Sequence, residues 1–394
     1  SYVIALGVGI ALSQTGAEKV CTILNSGVYT TGTSIDKNYA YLASLTKLEL
    51  GSSIISLPRL GNCVMLNTIT IPYDCDTSNS YVFYNCKSLS AVVTNFQCVG
   101  ISHYAFAGCS NLKTCVLGNR LNEIPMHMFD NDYKIDNITI PSSVTRINQN
   151  AFYACYTLKD IVIPSTVLSI GNNAFCLCES LQNMDISCAK TFVGQGIFSG
   201  CHELQSAKLP NNITSIAQDT FRECHALREV TIPDTVTSIG SFAFGQCRNL
   251  TNVVLPSGLV SIDQYAFYAC TAIVSIVIPQ TVTSIGNYGF QYCQDLHTVS
   301  ILSSSLTLGT YVFNECVSLN TINIPEGTTN IGGLCFAGCR AVMSLTIPST
   351  VTSIGGNAFQ NCYSMKTITI NKAEGSISGA PWGAPSDVQI IWHD

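Results

Sequence analysis

Residues 247–270 read CRNLTNVVLPSGLVSIDQYAFYAC, and this stretch decides the fold because close variants of it recur along most of the chain. The shared pattern is C-x-x-L-x-x-[IV]-x-[IV]-P-x-x-[VL]-x-x-I-x-x-x-A-F-x-x-C. From Phe83 to Phe359, a Phe is followed by Cys three residues later at steps of 23 residues or a multiple of 23. In the one gap, Phe129 keeps the register while Asp132 takes the place of Cys. A period held this strictly is typical of a repeat array.

Each repeat contains one segment with strand character and one with turn character. The Leu-x-x-Val-x-Leu pattern of residues 250–255 alternates over its second half, which predicts a strand with one buried face, and Pro256 ends that strand. The segment Ala-Phe-x-x-Cys-x-x-Leu places apolar residues three and four apart, which predicts a short helical or 3₁₀ turn. Glycines that follow the Ile of the repeat predict tight turns, as at positions Gly171, Gly240, Gly286, Gly332 and Gly355.

A single repeat cannot bury its own apolar side, whereas stacked repeats can. We therefore expect a right-handed solenoid with one parallel sheet and short helical or 3₁₀ turns opposite it. Predicted strands begin at Leu45, at Leu66 and then every 23 residues as far as Met365, which gives about fifteen coils. At ~4.8 Å per strand, fifteen coils predict a rod or arc of roughly 70 Å.

These repeats resemble a known family. Residues 282–293 (VTSIGNYGFQYC) and 345–362 (LTIPSTVTSIGGNAFQNC) look like the BspA-type leucine-rich repeats of bacterial and protist surface proteins. Residues 377–392 (ISGAPWGAPSDVQIIW) resemble the segment that often closes such arrays in gut-type bacteria and their phages. The resemblance covers residues 45–392. It implies a leucine-rich-repeat array that acts as an interaction scaffold, secreted or surface-exposed, with no shared catalytic residues and with diverse ligands.

The two ends of the chain depart from the repeat. Residues 1–44 lie outside the register and contain an apolar run, Val3–Leu12. This run predicts an N-terminal cap over the exposed sheet edge; the alternative is an assembly segment that packs against another subunit. We assign residues 45–371 to the solenoid and 372–394 to a C-terminal cap.

Composition and motifs exclude several classes of function. The chain is 47% hydrophobic and only 11% charged, which argues against disorder. Its net charge is -6 and it has no Lys/Arg cluster, so we expect no nucleic-acid partner. The longest apolar stretch, Tyr2–Leu12, is about half of what a membrane span needs. The absence of an initiating Met predicts a mature or trimmed product. Standard catalytic and nucleotide-binding motifs are missing, so we expect no enzyme activity and no cofactor.

Thirteen of the 20 cysteines stand on the repeat ladder. We interpret them as buried free thiols, because neighbouring side chains of a ladder point in parallel and suit the ~90° disulfide torsion badly. Cys75 and Cys98 lie one period apart and outside the ladder, and they could form a disulfide in an oxidising compartment. Without C-x-x-C pairs a zinc site is not predicted.

The residues that follow the ladder cysteines form a second column in part of the array, Glu179, His202, His225 and Arg248. Adjacent members of this column are expected about 5 Å apart across stacked coils. A carboxylate beside two imidazoles could bind a metal ion. The same residues are also typical of a solvated polar face. We favour the polar face, because the residues do not have the spacing of a known metal-binding motif.

One contrast in charge marks a candidate binding face. Residues 179–234 hold eleven charged residues, whereas residues 249–339 hold four. On the outward strand faces of this charged region we select Asp185, Lys208, Arg228 and Glu229 as candidate binding residues, together with Asp160 just before the region. Solenoids bind partners through such non-repeating residues, although drift among repeats produces the same pattern.

The leading hypothesis is a non-enzymatic extracellular scaffold for adhesion or partner binding, on a bacterial surface or a phage particle, with a protein or a glycan as its ligand. The alternative is a structural subunit that self-assembles end to end into filaments. An enzyme or metal protein that uses the Glu179 column is the third and least favoured.

Overall fold

The computed structural model describes residues 2–7, 10–15, 18–23, 46–50, 60–71, 80–94 and 101–393. Apart from an antiparallel segment within residues 2–23, these residues form a parallel-sheet solenoid with a period of about 23 residues. The chain divides into two units, Ser1–His202 and Glu203–Asp394, which we describe one at a time.

The first unit contains twelve strands among its described residues. They are β1 (Tyr2–Gly7), β2 (Ile10–Thr15), β3 (Glu18–Ile23), β4 (Lys47–Leu50), β5 (Thr68–Ile71), β6 (Ala91–Thr94), β7 (Thr114–Val116), β8 (Glu123–Ile124), β9 (Arg146–Ile147), β10 (Ser169–Ile170), β11 (Asn183–Asp185) and β12 (Phe192–Val193). Strands β1, β2 and β3 form an antiparallel meander, and β4 joins β3 in parallel. Two parallel sheets follow, in the orders β5-β6-β7 and β8-β9-β10-β12.

The second unit contains fifteen strands among its described residues. They are β13 (Ser206–Lys208), β14 (Ser215–Ile216), β15 (Glu229–Val230), β16 (Ser238–Ile239), β17 (Ser261–Ile262), β18 (Ser275–Ile278), β19 (Ser284–Ile285), β20 (Thr298–Ile301), β21 (Leu306–Leu308), β22 (Thr321–Ile322), β23 (Thr328–Ile331), β24 (Ser344–Ile347), β25 (Ser353–Ile354), β26 (Thr367–Ile370) and β27 (Gln389–Trp392). Their longest sheet has the order β14-β16-β17-β19-β21-β23-β25.

Most turns of the solenoid contribute to two sheets, so the prediction of one sheet was incomplete. The predicted strands exist: in β18, Ile276 and Ile278 point inward and Val277 points outward. In the second unit, the second sheet includes the longer β21 and β23 but consists mostly of Ser-Ile pairs, and Ile239 of β16 lies beside Ile262 of β17. These strands escaped sequence analysis because two residues leave no alternation to detect.

Glycines at the exit of the Ser-Ile strands allow neighbouring turns to approach closely. A Cβ at Gly240 would lie 2.8 Å from the backbone nitrogen of Gln218, and one at Gly286 would lie 2.6 Å from that of Gln264. Neither glycine has a left-handed backbone, so the requirement is for space and not for an unusual φ.

The predicted helical or 3₁₀ turn is wrong, because no described residue is helical. Around Phe267, the residues two positions before and after it, Tyr265 (φ 58) and Ala269 (φ 53), adopt left-handed backbone instead. The Phe267 N–H donates to the Gly289 carbonyl of the next turn at 2.8 Å, whereas a helical N–H would donate four residues back. The apolar spacing of three and four therefore belongs to a stacked turn.

The ladder phenylalanines form the core of each unit. From Phe83 to Phe198 in the first unit and from Phe221 to Phe359 in the second, consecutive rings stack with centroids 5.0 to 6.1 Å apart. Phe267 contacts both neighbours as expected, at 5.2 Å to Phe244 and 5.0 Å to Phe290.

In the part of the chain that the structure describes, the number of turns is about thirteen, compared with the fifteen expected. The coil predicted to begin at Leu45 falls on a position outside the described residues, although β4 follows closely. At the other end, Trp382 replaces the ladder Phe and meets Phe359 edge to face at 6.3 Å. The indole N–H donates to the Ser378 carbonyl at 2.8 Å, and β27 pairs with β26. The aromatic column therefore ends on a larger ring instead of continuing.

Candidate binding surface

The outward strand positions are the part of the repeat that varies. Inward positions carry Val, Ile, Leu, Ala or Met and are buried, whereas the outward column contains Asp185, Lys208, Thr231, Val254 and Val277, all exposed. Because the backbone of a parallel strand sets only the direction of these side chains, their chemistry is free to differ from turn to turn.

The five residues selected from the sequence are all exposed, and they fall into two groups. Asp160 and Asp185 belong to the first unit. The backbone of Asp160 pairs with that of Asn137 in an isolated parallel β-bridge. The Asp185 carboxylate accepts hydrogen bonds from the Ser187 N–H and hydroxyl at 2.9 and 2.6 Å. Lys208, Arg228 and Glu229 belong to the second unit.

Within the second unit, the three residues lie on neighbouring turns. Lys208 ends β13, and Glu229 begins β15 directly opposite Ser206 of β13. The Arg228 N–H donates to the Gln205 carbonyl at 3.3 Å, so the adjacent turns are in register here too. The structure therefore brings Lys208, Arg228 and Glu229 to one part of the strand face.

Two recesses that sequence analysis missed lie on the same face of the second unit. The first, which we call the acidic groove, has a volume of about 600 Å³ and is lined by Glu229, Asp234, Asn252, Val254 and other residues. Sequence analysis did not select Asp234 as a candidate binding residue. Its only distinguishing feature in the sequence is that it follows Pro233, the proline that ends the strand of its repeat.

The second recess, which we call the apolar groove, has a volume of about 540 Å³. Its exposed aliphatic side chains are Val254, Val277 and Leu302, with 72%, 53% and 58% of their surfaces accessible. The sequence held one signal for it, because Leu302 stands where the neighbouring repeats have proline.

The structure does not assemble a metal site from the column that begins at Glu179. Glu179 and His202 belong to the first unit, and His225 and Arg248 to the second. Across the described ranges, no cluster of three or more His, Cys, Asp or Glu residues has the geometry to hold a metal ion.

The ladder cysteines have a structural role that their spacing did not indicate. All thirteen are buried, and most thiols donate to the backbone carbonyl 26 residues earlier: Cys270 to Phe244 at 2.9 Å, and Cys178 to Phe152 at 3.2 Å. Burial raises the pKa of the Cys362 thiol to about 12. Cys86 differs, because hydrogen bonds with Cys109 and Cys63 lower the pKa of its thiol well below the usual range. A thiol that keeps its proton is a poor nucleophile, and Cys86 itself is fully buried, so we expect the ladder to be unreactive in the folded protein. Cys75 and Cys98 lie outside the described residues.

We expect thiol reagents to distinguish the ladder from the rest of the chain. In the folded protein, a short pulse of iodoacetamide should label the half-buried Cys188 well before any ladder cysteine, because the reaction needs an accessible thiolate. Mass spectrometry of the labelled peptides measures this order, and labelling in denaturant provides the control in which all 20 cysteines react. Native labelling of Cys270 as fast as Cys188, or six or more disulfides, would contradict the interpretation.

Asp132 is the one departure from the cysteine ladder after Cys63. Its side chain is fully buried, and neither carboxyl oxygen has a hydrogen-bond partner in the part of the chain described. Burial raises the pKa of Asp132 well above its usual range. The nearby backbone of Cys109 lowers the pKa of Asp132, although it does not form a hydrogen bond with either carboxyl oxygen. The negative charge of Asp130 raises this pKa further. Asp132 therefore keeps its proton to a higher pH than it would in an unfolded chain.

Among the described residues we find no helix with the length and apolar character that a membrane crossing requires.

Comparison with known proteins supports the assignment of the chain as a leucine-rich repeat array. A family model described as a BspA type leucine rich repeat region matches residues 33–159, 145–274 and 260–380. No curated protein sequence matches the chain.

Three solved structures illustrate the likeness. A leucine-rich repeat protein from Bacteroides ovatus is 24% identical, with a TM-score of 0.69, over 83% of this chain and 92% of that one. A leucine rich cell surface protein from Faecalibacterium prausnitzii is 24% identical over 99% and 98%, with a TM-score of 0.48. A leucine-rich repeat protein from T. pallidum is 22% identical over 62% and 89%, with a TM-score of 0.35. At these identities the likeness, carried by the first structure, concerns the fold alone.

Proposed function

Because the chain belongs to the BspA-type leucine-rich repeat family, we propose that it is a non-enzymatic scaffold that binds a protein partner through the outward face of its strands. The proposal includes display outside the cell, on a bacterial surface or a phage particle, where such binding serves adhesion. Its extracellular setting is supported by the resemblance of the repeats to those of bacterial and protist surface proteins.

The observation that carries this proposal is the division of labour within each repeat. The inward Phe and Cys positions are nearly invariant and build the core, whereas outward positions change from Asp185 and Lys208 to Val254 and Val277. Core formation places no demand on the outward side chains, so their variation is available for recognition. A mixture of charged and aliphatic side chains suits the surface of another protein.

Binding measurements with the full chain test the proposal. We expect the purified protein to bind at least one member of a panel of purified extracellular proteins. The triple variant Lys208→Ala/Arg228→Ala/Glu229→Ala should bind that partner about tenfold or more weakly, as expected when several interface side chains are truncated. The matched control, Arg248→Ala/Asp263→Ala, removes exposed charges outside the strand face and should leave the affinity unchanged. The pair Asp160→Ala/Asp185→Ala examines the first unit separately.

Three outcomes would contradict the proposal. These are equal losses in the triple variant and in its control, binding to a parallel glycan array without any protein partner, and absence of any partner. Light scattering on the same samples addresses the filament alternative, which requires particles that grow with protein concentration.

A further inference from the structure

The apolar groove owes its shape to one departure from the repeat. Prolines occupy the corresponding position of the surrounding turns, at Pro233, Pro256, Pro279, Pro325 and Pro348, whereas this turn has Leu302. The Leu302 N–H donates to the Ile278 carbonyl at 2.9 Å, a bond that proline cannot make. The backbone therefore stays hydrogen-bonded to the preceding turn at this position. At the surface, the proline of the other repeats is replaced by a leucine side chain that is 58% exposed.

Three exposed aliphatic side chains, Val254, Val277 and Leu302, thus follow one another on successive turns. Buried Leu255 and Pro279 form the sides of the recess between them. Covering exposed apolar surface with a partner is favourable, because that surface is removed from water. Contiguous apolar surface with a polar rim is typical of a site of interaction with another protein.

The acidic groove continues this apolar recess, because both share Asn252, Val254 and Leu255. Glu229 and Asp234 line its far side, both are exposed, and neither forms an ion pair within the part of the chain described. No Lys or Arg occurs in residues 249–339, so the chain offers no basic residue beside the apolar recess. Lys208 and Arg228 lie on the same part of the strand face as Glu229, but no Lys or Arg lines the acidic groove itself, so a partner that complements its two carboxylates has to supply a basic group.

The spacing of the two grooves limits the shape of that partner. From the turn of Glu229 to the turn of Leu302 there are three steps along the array. Three steps of ~4.8 Å separate the two ends by roughly 14 Å, which an extended polypeptide covers in about four residues.

We propose that the two grooves form one track for an extended protein segment that carries a basic side chain and an aliphatic side chain about four residues apart. The basic group lies between Glu229 and Asp234, and the aliphatic group fills the recess beside Leu302. This inference rests on the proposed function, for which it names the chemistry of the partner.

Selection from a random heptapeptide library on the immobilised full chain tests the track. We expect the enriched peptides to combine Lys or Arg with Leu, Ile or Val about three to five residues away. The most enriched peptide, labelled with fluorescein, is then titrated against variants of the full chain by fluorescence polarisation. Leu302→Pro restores the residue of the neighbouring repeats, Val277→Asp places a charge in the recess, and each should weaken binding about tenfold or more. Glu229→Gln/Asp234→Asn should weaken binding and reduce its dependence on salt concentration.

The chain offers a matched control in Val162, which has the same position in its repeat as Val254 and Val277 but belongs to the first unit, and is 82% exposed. Val162→Asp should leave the affinity of the peptide unchanged, and its thermal unfolding reports what a new outward charge does to the fold itself. Absence of enrichment, enrichment of acidic peptides, or unchanged binding by Leu302→Pro and Val277→Asp would overturn the track.

Failure of the track is distinguishable from failure of the proposed function. If a protein partner loses affinity for the Lys208/Arg228/Glu229 triple variant but binds Leu302→Pro and Val277→Asp normally, the scaffold function stands and the track falls.

Discussion

Replacing Phe267 by Ala should lower the free energy of unfolding of the second unit by about 3–5 kcal/mol, as truncation of large core side chains does. The ring is fully buried and stacks on Phe244 and Phe290, so its removal leaves a cavity between two turns that the backbone hydrogen bonds hold in place. Urea denaturation followed by circular dichroism measures the loss, and an unchanged m-value shows that the same surface is still exposed on unfolding.

Val274→Ala is the matched control for Phe267→Ala. Val274 lies seven residues further along the chain and is 50% exposed, so its truncation should change the free energy of unfolding by less than about 0.5 kcal/mol. Equal effects of the two substitutions would mean that the Phe column is not the core.

Asp132→Cys should raise the free energy of unfolding of the first unit by about 1–3 kcal/mol at pH 7, the usual cost of a buried polar group without a partner. Neither oxygen of Asp132 is hydrogen-bonded among the described residues, whereas ladder thiols donate to the carbonyl 26 residues earlier, here that of Phe106. Chemical denaturation at pH 7 measures the gain. A lower stability of Asp132→Cys would show that the carboxyl is stabilised by a contact that the thiol cannot replace.

Stability should also depend on pH through Asp132. The carboxyl has a pKa of about 3.9 in an unfolded chain, and burial raises the folded value well above this. As the pH rises between the two values, the unfolded chain releases a proton that the folded chain retains. Unfolding is then favoured, and stability falls by at most about 1.4 kcal/mol per pH unit. Asp132→Asn cannot ionise and lacks this contribution.

The difference in stability between the wild-type protein and Asp132→Asn, followed from pH 3 to 8, isolates the effect. The titratable groups around Asp132 are Cys109, Cys155, Asp130 and His127, with His127 Nδ1 2.7 Å from the Asp130 carboxylate. Both proteins contain these four groups, so their contributions cancel to first order in the difference. A difference that is flat across this range would show that Asp132 ionises in the folded protein as easily as in the unfolded chain.

The candidate surface was only partly predictable from sequence. Lys208, Arg228 and Glu229 were found because charge is rare in this chain and stands out against the repeat. The grooves were not, because Val254 and Leu302 are two repeats apart in the sequence and line one recess only after the turns have stacked. In the sequence, Asp234 has the features of an ordinary turn residue. Only the folded structure shows that it lines the same groove as Glu229.

The 23-residue period was enough to predict that the chain is a stacked solenoid and which residues form its core. Side chains of one type at 23-residue steps, such as Phe244, Phe267 and Phe290, bury one another only if the turns stack in register, so the period specifies both the neighbours and the inward direction. The tertiary structure alone decided the path of the backbone between those points. A helical turn and the left-handed turn at Tyr265 and Ala269 place apolar side chains at the same spacing. What separates them is where the N–H groups bond: here every second N–H, as at Tyr265, Phe267 and Ala269, donates to the next turn, which exists only in the stack.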